Sequence, residues 1–300
     1  MESGVNDLVD AHQHFQDIER YSYPWLEPGQ PPKLEGDLSP IRRNFLPADY
    51  RETVVGLPIS KTVHVQNGWN PADPVGETRW LSHLAETQGL PTAIVAYADL
   101  ASPDVESVLA AHLGFPCVRG IRQILNWHEN PSLRVAARPG LMEQVSWRRG
   151  FACLARLGMS FDLQLYWPQM RMALELAQDF QQTSIILNHF GMPIDRSPEG
   201  LRGWTGAMRQ LARADNVSVK LSGFGLGHPA WTLADTVPLL LQVIGMFGPE
   251  RVMFGSNLPV DLLFSDASKL LAALEVCLQN LSPKDRRKIR HLNAERIYGI

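Results

Sequence analysis

Short apolar runs alternate with longer amphipathic stretches along almost the whole chain. The runs are Asp7–His12, Lys61–Gln66, Thr92–Ala98, Val118–Ile124, Ser160–Tyr166, Ser184–His189, Val217–Ser222 and Arg251–Gly255. Between them lie Val75–Gln88, Asp104–Leu113, Met142–Leu157, Arg171–Gln182, Gly200–Ala214 and Thr232–Phe247, each reading as a helix. Strand alternating with helix predicts a parallel sheet with helical crossovers. Eight repeats in 300 residues is the count of a (β/α)8 barrel. No internal repeat, low-complexity tract or linker divides the chain. The expectation is therefore an α/β fold, a distorted (β/α)8 barrel, with residues 1–300 forming one domain.

Alternation within the strands adds detail. Thr62, His64 and Gln66 alternate with Val63 and Val65, and Ser218, Lys220 and Ser222 alternate with Val217, Val219 and Leu221. In a barrel one parity faces the interior, and the polar parity is expected there, toward an active-site mouth at the carboxyl ends of the strands. The stretch from Phe15 to Pro47 breaks the rhythm. It is long, aromatic and Pro/Gly-rich, and it follows the first strand, so a lid-like loop over the mouth is expected. Ser282 and Pro283 mark the start of a last helix, whose Arg286, Arg287, Lys288 and Arg290 read as a solvated face.

Composition narrows the class. A formal net charge of -3 gives no basic field, so nucleic acid is not an expected partner. No apolar run is long enough to span a membrane. Met1–Asp7 lacks a basic segment leading into an apolar core, so no secretory signal is expected. Three scattered cysteines, Cys117, Cys153 and Cys277, fit reduced core thiols in a cytoplasmic protein.

The chemistry begins at Asp10-Ala11-His12-Gln13-His14. Regular strand alternation would turn Asp10, His12 and His14 to one side, where two imidazoles can converge on a cation or a developing negative charge. Other strand ends supply His64 and Gln66, Arg122, Asp162 and Gln164, His189, Lys220, and Asn257 with Asp261. Arg122 suits bidentate binding of a substrate carboxylate; a structural ion pair with Asp99 or Glu129 is the plainer alternative. Trp25, Trp69, Trp127 and Trp167 follow or cover strand ends and could wall a pocket.

These pieces, with Gly120-Ile121-Arg122, His189-Phe190-Gly191-Met192-Pro193, Lys220-Leu221-Ser222-Gly223, Gly255-Ser256-Asn257-Leu258-Pro259 and Asn293-Ala294-Glu295-Arg296-Ile297-Tyr298, occur in an order that resembles the amidohydrolase superfamily. The branch resembled is that of the predicted metal-dependent barrel hydrolases, which includes sugar-lactone and dicarboxylate-lactone hydrolases. The resemblance implies a hydrolase that opens a small lactone or cyclic ester by attack of water. Catalytic roles are expected for His12, His14, His189 and Asn257, with Asp261, four residues past Asn257, as a candidate base, and substrate contacts from Arg122, His64, Gln66, Gln164 and Trp25. Two departures stand out. Relatives end strand eight with an aspartate that activates water, and here Asn257 occupies that place. The strand-five histidine of dinuclear members is also missing. A binuclear centre is thus not expected. One divalent ion, zinc or manganese, on His12, His14 and His189 remains open beside a metal-free reaction, the preferred reading. Alternatives are a lyase or decarboxylase on the same barrel, or a silent metabolite-binding barrel. A small molecule is the expected partner, and a homo-oligomer is left open.

Overall fold

A computed structural model describes residues 7–30 and 33–300. The reading of the leader falls mostly on Met1–Asn6, outside the described residues, as do Pro31 and Pro32 of the loop. The strands are β1 (Leu8–Gln13), β2 (Ile59–Val65), β3 (Ala93–Tyr97), β4 (Val118–Ile124), β5 (Ser160–Gln164), β6 (Ile185–Leu187), β7 (Val217–Leu221) and β8 (Val252–Phe254). They pair in chain order, and each neighbouring pair from β1 to β8 is parallel. A parallel bridge between Gln13 and Leu258 brings the first strand round to the last. Two backbone bonds complete the ring: the His14 N–H donates to the Leu258 carbonyl at 2.7 Å, and the Asn257 N–H to the His12 carbonyl at 2.7 Å. This is the expected distorted (β/α)8 barrel. Among the described residues no helix is long and apolar enough to cross a membrane.

Packing shows which side of each strand faces inward. Val9, Ala11, Val63, Val65, Ala93, Val95, Ile186 and Met253 form one apolar cluster with Tyr298. Strands from opposite sides of a ring can meet only across its interior. The opposite parity, including Leu8, Ile94, Leu187, Val217 and Val219, packs into the larger cluster shared with the helices. For β7 the polar parity is the inner one, as expected: buried Lys220 pairs with Asp162 of β5 inside the ring. For β2 the expectation is reversed. Val63 and Val65 fill the interior, while His64 turns outward to Glu77 of the helix α1 (Gly76–Gln88). A helix that brings its own carboxylate satisfies a polar outer face that would otherwise be costly to bury.

β1 also departs from simple alternation. Asp10 opposes Thr62 and Gln13 opposes His64, so β1 spends one residue more than β2 over this stretch. The extra residue is a β-bulge. Asp10 points outward, accepting from the Tyr50 hydroxyl at 2.7 Å and the Ser256 backbone N–H at 2.8 Å. Ala11 belongs to the interior cluster, yet His12 also faces inward, against Arg122. The predicted common face of Asp10, His12 and His14 therefore holds only for the two histidines.

The loop after β1 covers the mouth. Its Tyr23, Leu26 and Ile41 pack with Tyr166, Met192, Leu226 and Val260, which lie beyond β5, β6, β7 and β8. At the other end, the helix Asn293–Tyr298 lays Tyr298 into the barrel floor. The basic cluster of the last turns is less solvated than expected. Lys288 pairs with Glu250 and Asp285, and Arg290 with Glu275.

Candidate active site

The bulge gathers the histidines. His12 lies 4.6 Å from His189 and 5.0 Å from His14 between ring centroids, and all three are buried. Small residues permit the approach. A Cβ on Gly255 would come within 2.6 Å of the His12 Cβ, and one on Gly223 within 2.6 Å of His189 Nδ1. The turn that carries His189 is strained. His189, Phe190 and Met192 have φ of 53°, 40° and 46°, and Asn257 has 57°. Left-handed backbone at non-glycine residues costs on the order of 1–3 kcal/mol each and persists where the surroundings force it.

Burial holds all three rings neutral. It pushes His12, His14 and His189 well below the ordinary histidine value, and the positive charges of Arg122 and Lys220 push the same way. The partners of His14 are two oxygens: Val65 O lies 2.6 Å from Nδ1 and Asn257 Oδ1 3.2 Å from Nε2. Only a doubly protonated ring could donate to both. The neutral ring keeps the shorter Nδ1–H bond and turns a bare Nε2 toward the Asn257 amide. Asn257 in turn donates from Nδ2 to Asp261 Oδ2 at 2.6 Å. Asp261 is fully buried, and burial raises its carboxyl to about 7. It stands behind Asn257, which separates it from His14.

Arg122 closes the other side. Its Nη1 donates to Gln164 Oε1 at 2.9 Å and lies 3.5 Å from His12 Nε2, while Nη2 donates to the Gln66 carbonyl. Burial lowers it to about 10, with Asp162 opposing that fall, so it is charged at neutral pH. Among the described residues no carboxylate lies within ion-pair distance of it; Asp99 is taken by Gln123 instead. Its Nε is buried without a partner.

The remaining expected residues are more distant from the histidine cluster. His64 accepts from the Phe15 backbone N–H at 3.0 Å and bonds Glu77 at 3.3 Å, so both ring nitrogens are spent in the outer layer. The Gln66 side chain accepts from the Gly68 N–H at 2.8 Å and contributes its carbonyl, not its amide, to Arg122. Trp25 donates to the Asn67 carbonyl at 2.7 Å and ties the covering loop to the end of β2.

Other buried groups at the site receive no individual role from the sequence. Asp162 accepts from Lys220, from Asn188 Nδ2 at 2.8 Å and from the Tyr298 hydroxyl at 3.0 Å. Ser222 Oγ lies 3.0 Å from His189 Nδ1. The alternation of β7 points to Lys220 and Ser222. Asn126, buried at the end of β4, carries no comparable signal.

The amidohydrolase family model matches residues 9–300. The chain belongs to the amidohydrolase family. It is a hydrolase on that footing. It is 40% identical over 293 residues to an uncharacterized protein, y4mH, of Sinorhizobium fredii, with 98% of each chain covered. It is 29% identical to an L-fucono-1,5-lactonase of Burkholderia ambifaria, over 97% of this chain and 95% of that one. A crystal structure of a Burkholderia multivorans amidohydrolase with bound zinc superposes with a TM-score of 0.82 at 25% identity, covering 98% and 99% of the two chains.

Zinc in that relative makes a divalent ion plausible in this amidohydrolase. The nitrogen chemistry is suitable, because neutral imidazoles are good zinc ligands and His12 Nδ1 is buried with no partner. Their arrangement is not. Among the described residues no group of three His, Cys, Asp or Glu is placed to hold an ion. The Arg122 guanidinium beside His12 Nε2 would also repel one. As arranged, the side chains do not fit a three-ligand ion.

Proposed function

We propose that this amidohydrolase opens a small hydroxyl- or carboxylate-bearing lactone by attack of water, with residues 1–300 working as one catalytic domain. Arg122 carries this reading: a buried, charged guanidinium with no carboxylate partner, set against His12 and Gln164. An unpaired buried cation is costly, and an oxygen bearing negative charge completes it. In a lactone that oxygen is the carbonyl, which becomes an oxyanion on attack. Arg122 and His189 stabilise it; Ser222, donating to His189 Nδ1, would leave the Nε2–H free for this. The attacking water gives a proton to the bare Nε2 of His14, and the new N–H donates to Asn257 Oδ1, which Asp261 holds in place. The ring C–O bond then breaks, the leaving oxygen takes that proton, and the new carboxylic acid releases its remaining proton to solvent, leaving a carboxylate that faces Arg122. The relative named as an L-fucono-1,5-lactonase supports a lactone substrate.

A panel of sugar and dicarboxylate lactones, followed with a pH indicator with and without added zinc or manganese, tests this. Acid release from at least one member is expected, with one labelled oxygen incorporated from water. No release from any member under either condition overturns it. Carbon dioxide release without label would instead favour a decarboxylase.

A further inference from the structure

Asn126 stands out among the buried groups that the proposed chemistry leaves unused. It follows Arg122 by four residues, just past the end of β4, and is 1% exposed. Its Nδ2 donates to a weak acceptor, the Met192 thioether at 3.3 Å, and also hydrogen-bonds the Tyr166 hydroxyl. Its Oδ1 has no partner. Met192 belongs to the strained turn that carries His189, and Tyr166 follows Gln164 by two residues. The amide therefore sits among the groups that flank Arg122, Gln164 and His189 on three successive strand ends. Its backbone is fixed, because the Asn126 carbonyl accepts from the Val135 and Ala136 N–H groups at 3.0 and 2.8 Å.

A buried amide with an unsatisfied carbonyl is costly unless something donates to it. Asn188, also fully buried and one residue before His189, has an Oδ1 in the same state. Two unfilled acceptors, one four residues past Arg122 and one next to His189 in the chain, select for a ligand that donates. Hydroxyl groups donate; a carboxylate or an unsubstituted ring cannot, and a second carboxylate would be repelled by the amide oxygens.

We infer that Asn126 is a specificity residue that accepts a hydrogen bond from a ring hydroxyl, so that the substrate is a neutral polyhydroxylated lactone and not a dicarboxylate one. This rests on the lactone reading and narrows it. Loss of a hydroxyl partner to a buried acceptor is discriminated far more strongly than loss of a methylene.

Binding of inert lactams separates the two claims. A polyhydroxylated δ-lactam and plain δ-valerolactam are titrated calorimetrically into the parent, Asn126→Leu and Asn126→Asp. The parent is expected to prefer the hydroxylated lactam at least tenfold. Asn126→Leu, similar in shape but without the acceptor, should reduce that preference about tenfold. Asn126→Asp, which keeps the acceptor, should retain it. A parent without preference, or an Asn126→Leu protein with the parental ratio, overturns the inference. If the preference behaves as expected while the parent hydrolyses no lactone, the hydroxyl contact of Asn126 stands, and the lactone reading falls together with the substrate named from it.

Discussion

Arg122 separates charge from shape. Its fork reaches Gln164 and the Gln66 carbonyl with two different nitrogens while lying beside His12. A lysine would keep the charge and lose that geometry. Arg122→Lys is expected to lower kcat/KM by the equivalent of about 1.5–3 kcal/mol, the range of hydrogen bonds to charged groups; a parental kcat/KM would remove Arg122 from the site. Asp261 makes a thermodynamic prediction. Its carboxyl, raised by burial from 3.8 to about 7, stays protonated in the fold where the unfolded chain would ionise. Unfolding then releases a proton. This contribution is complete below about 3.8, declines as pH rises, and is gone above about 7. Asp261→Asn should flatten the fall in stability across that window, on the order of 4 kcal/mol at most. Denaturation at a series of pH values checks it. At this scale the sequence was partly legible. His-x-His and Arg-bearing β4 pointed at the cluster because their residue types carry chemistry wherever they lie. Asn126 could not be found so, because an amide beside Trp127 is indistinguishable from any loop amide until its neighbours are known.

Elements show how backbone geometry sets chemistry. The bulge in β1 lets Ala11 and His12 both face inward, and periodicity alone cannot announce it. The same limit explains β2. Its alternation is real, but which parity is inner depends on Glu77, a residue of another element. Glycines at the site offer a direct test. At Gly223, with φ of 65°, a Cβ would strike His189 Nδ1; at Gly158, with φ of 66°, it would meet nothing within 4 Å. Both alanine variants should lose stability by roughly 1–3 kcal/mol from backbone strain. Only Gly223→Ala is expected to lower kcat, by displacing His189 from Ser222. Equal kcat in the two variants would show that the exact place of His189 is immaterial.

Over the whole molecule, the eight-strand count was legible early because every unit repeats the same local pattern. The floor was not, because Tyr298 lies 136 residues along the chain from Asp162, to which it donates at 3.0 Å. Tyr298→Phe removes that donor from a buried carboxylate already shared by Lys220 and Asn188. A stability loss of about 1.5–3 kcal/mol is expected in chemical denaturation.

The ring itself closes through the backbones of His12, His14 and Asn257 and of Leu258. The weld of the barrel and the proposed reacting groups are one and the same place. Two amide protons, those of His14 and Asn257, thus become natural tracers of whether the circle is whole. In deuterated water they should exchange together, at a pace set by parting of the first strand from the last, and a ligand that spans the histidines should slow both. A protein whose circle closes beside its histidine cluster cannot loosen there without ceasing to be a barrel.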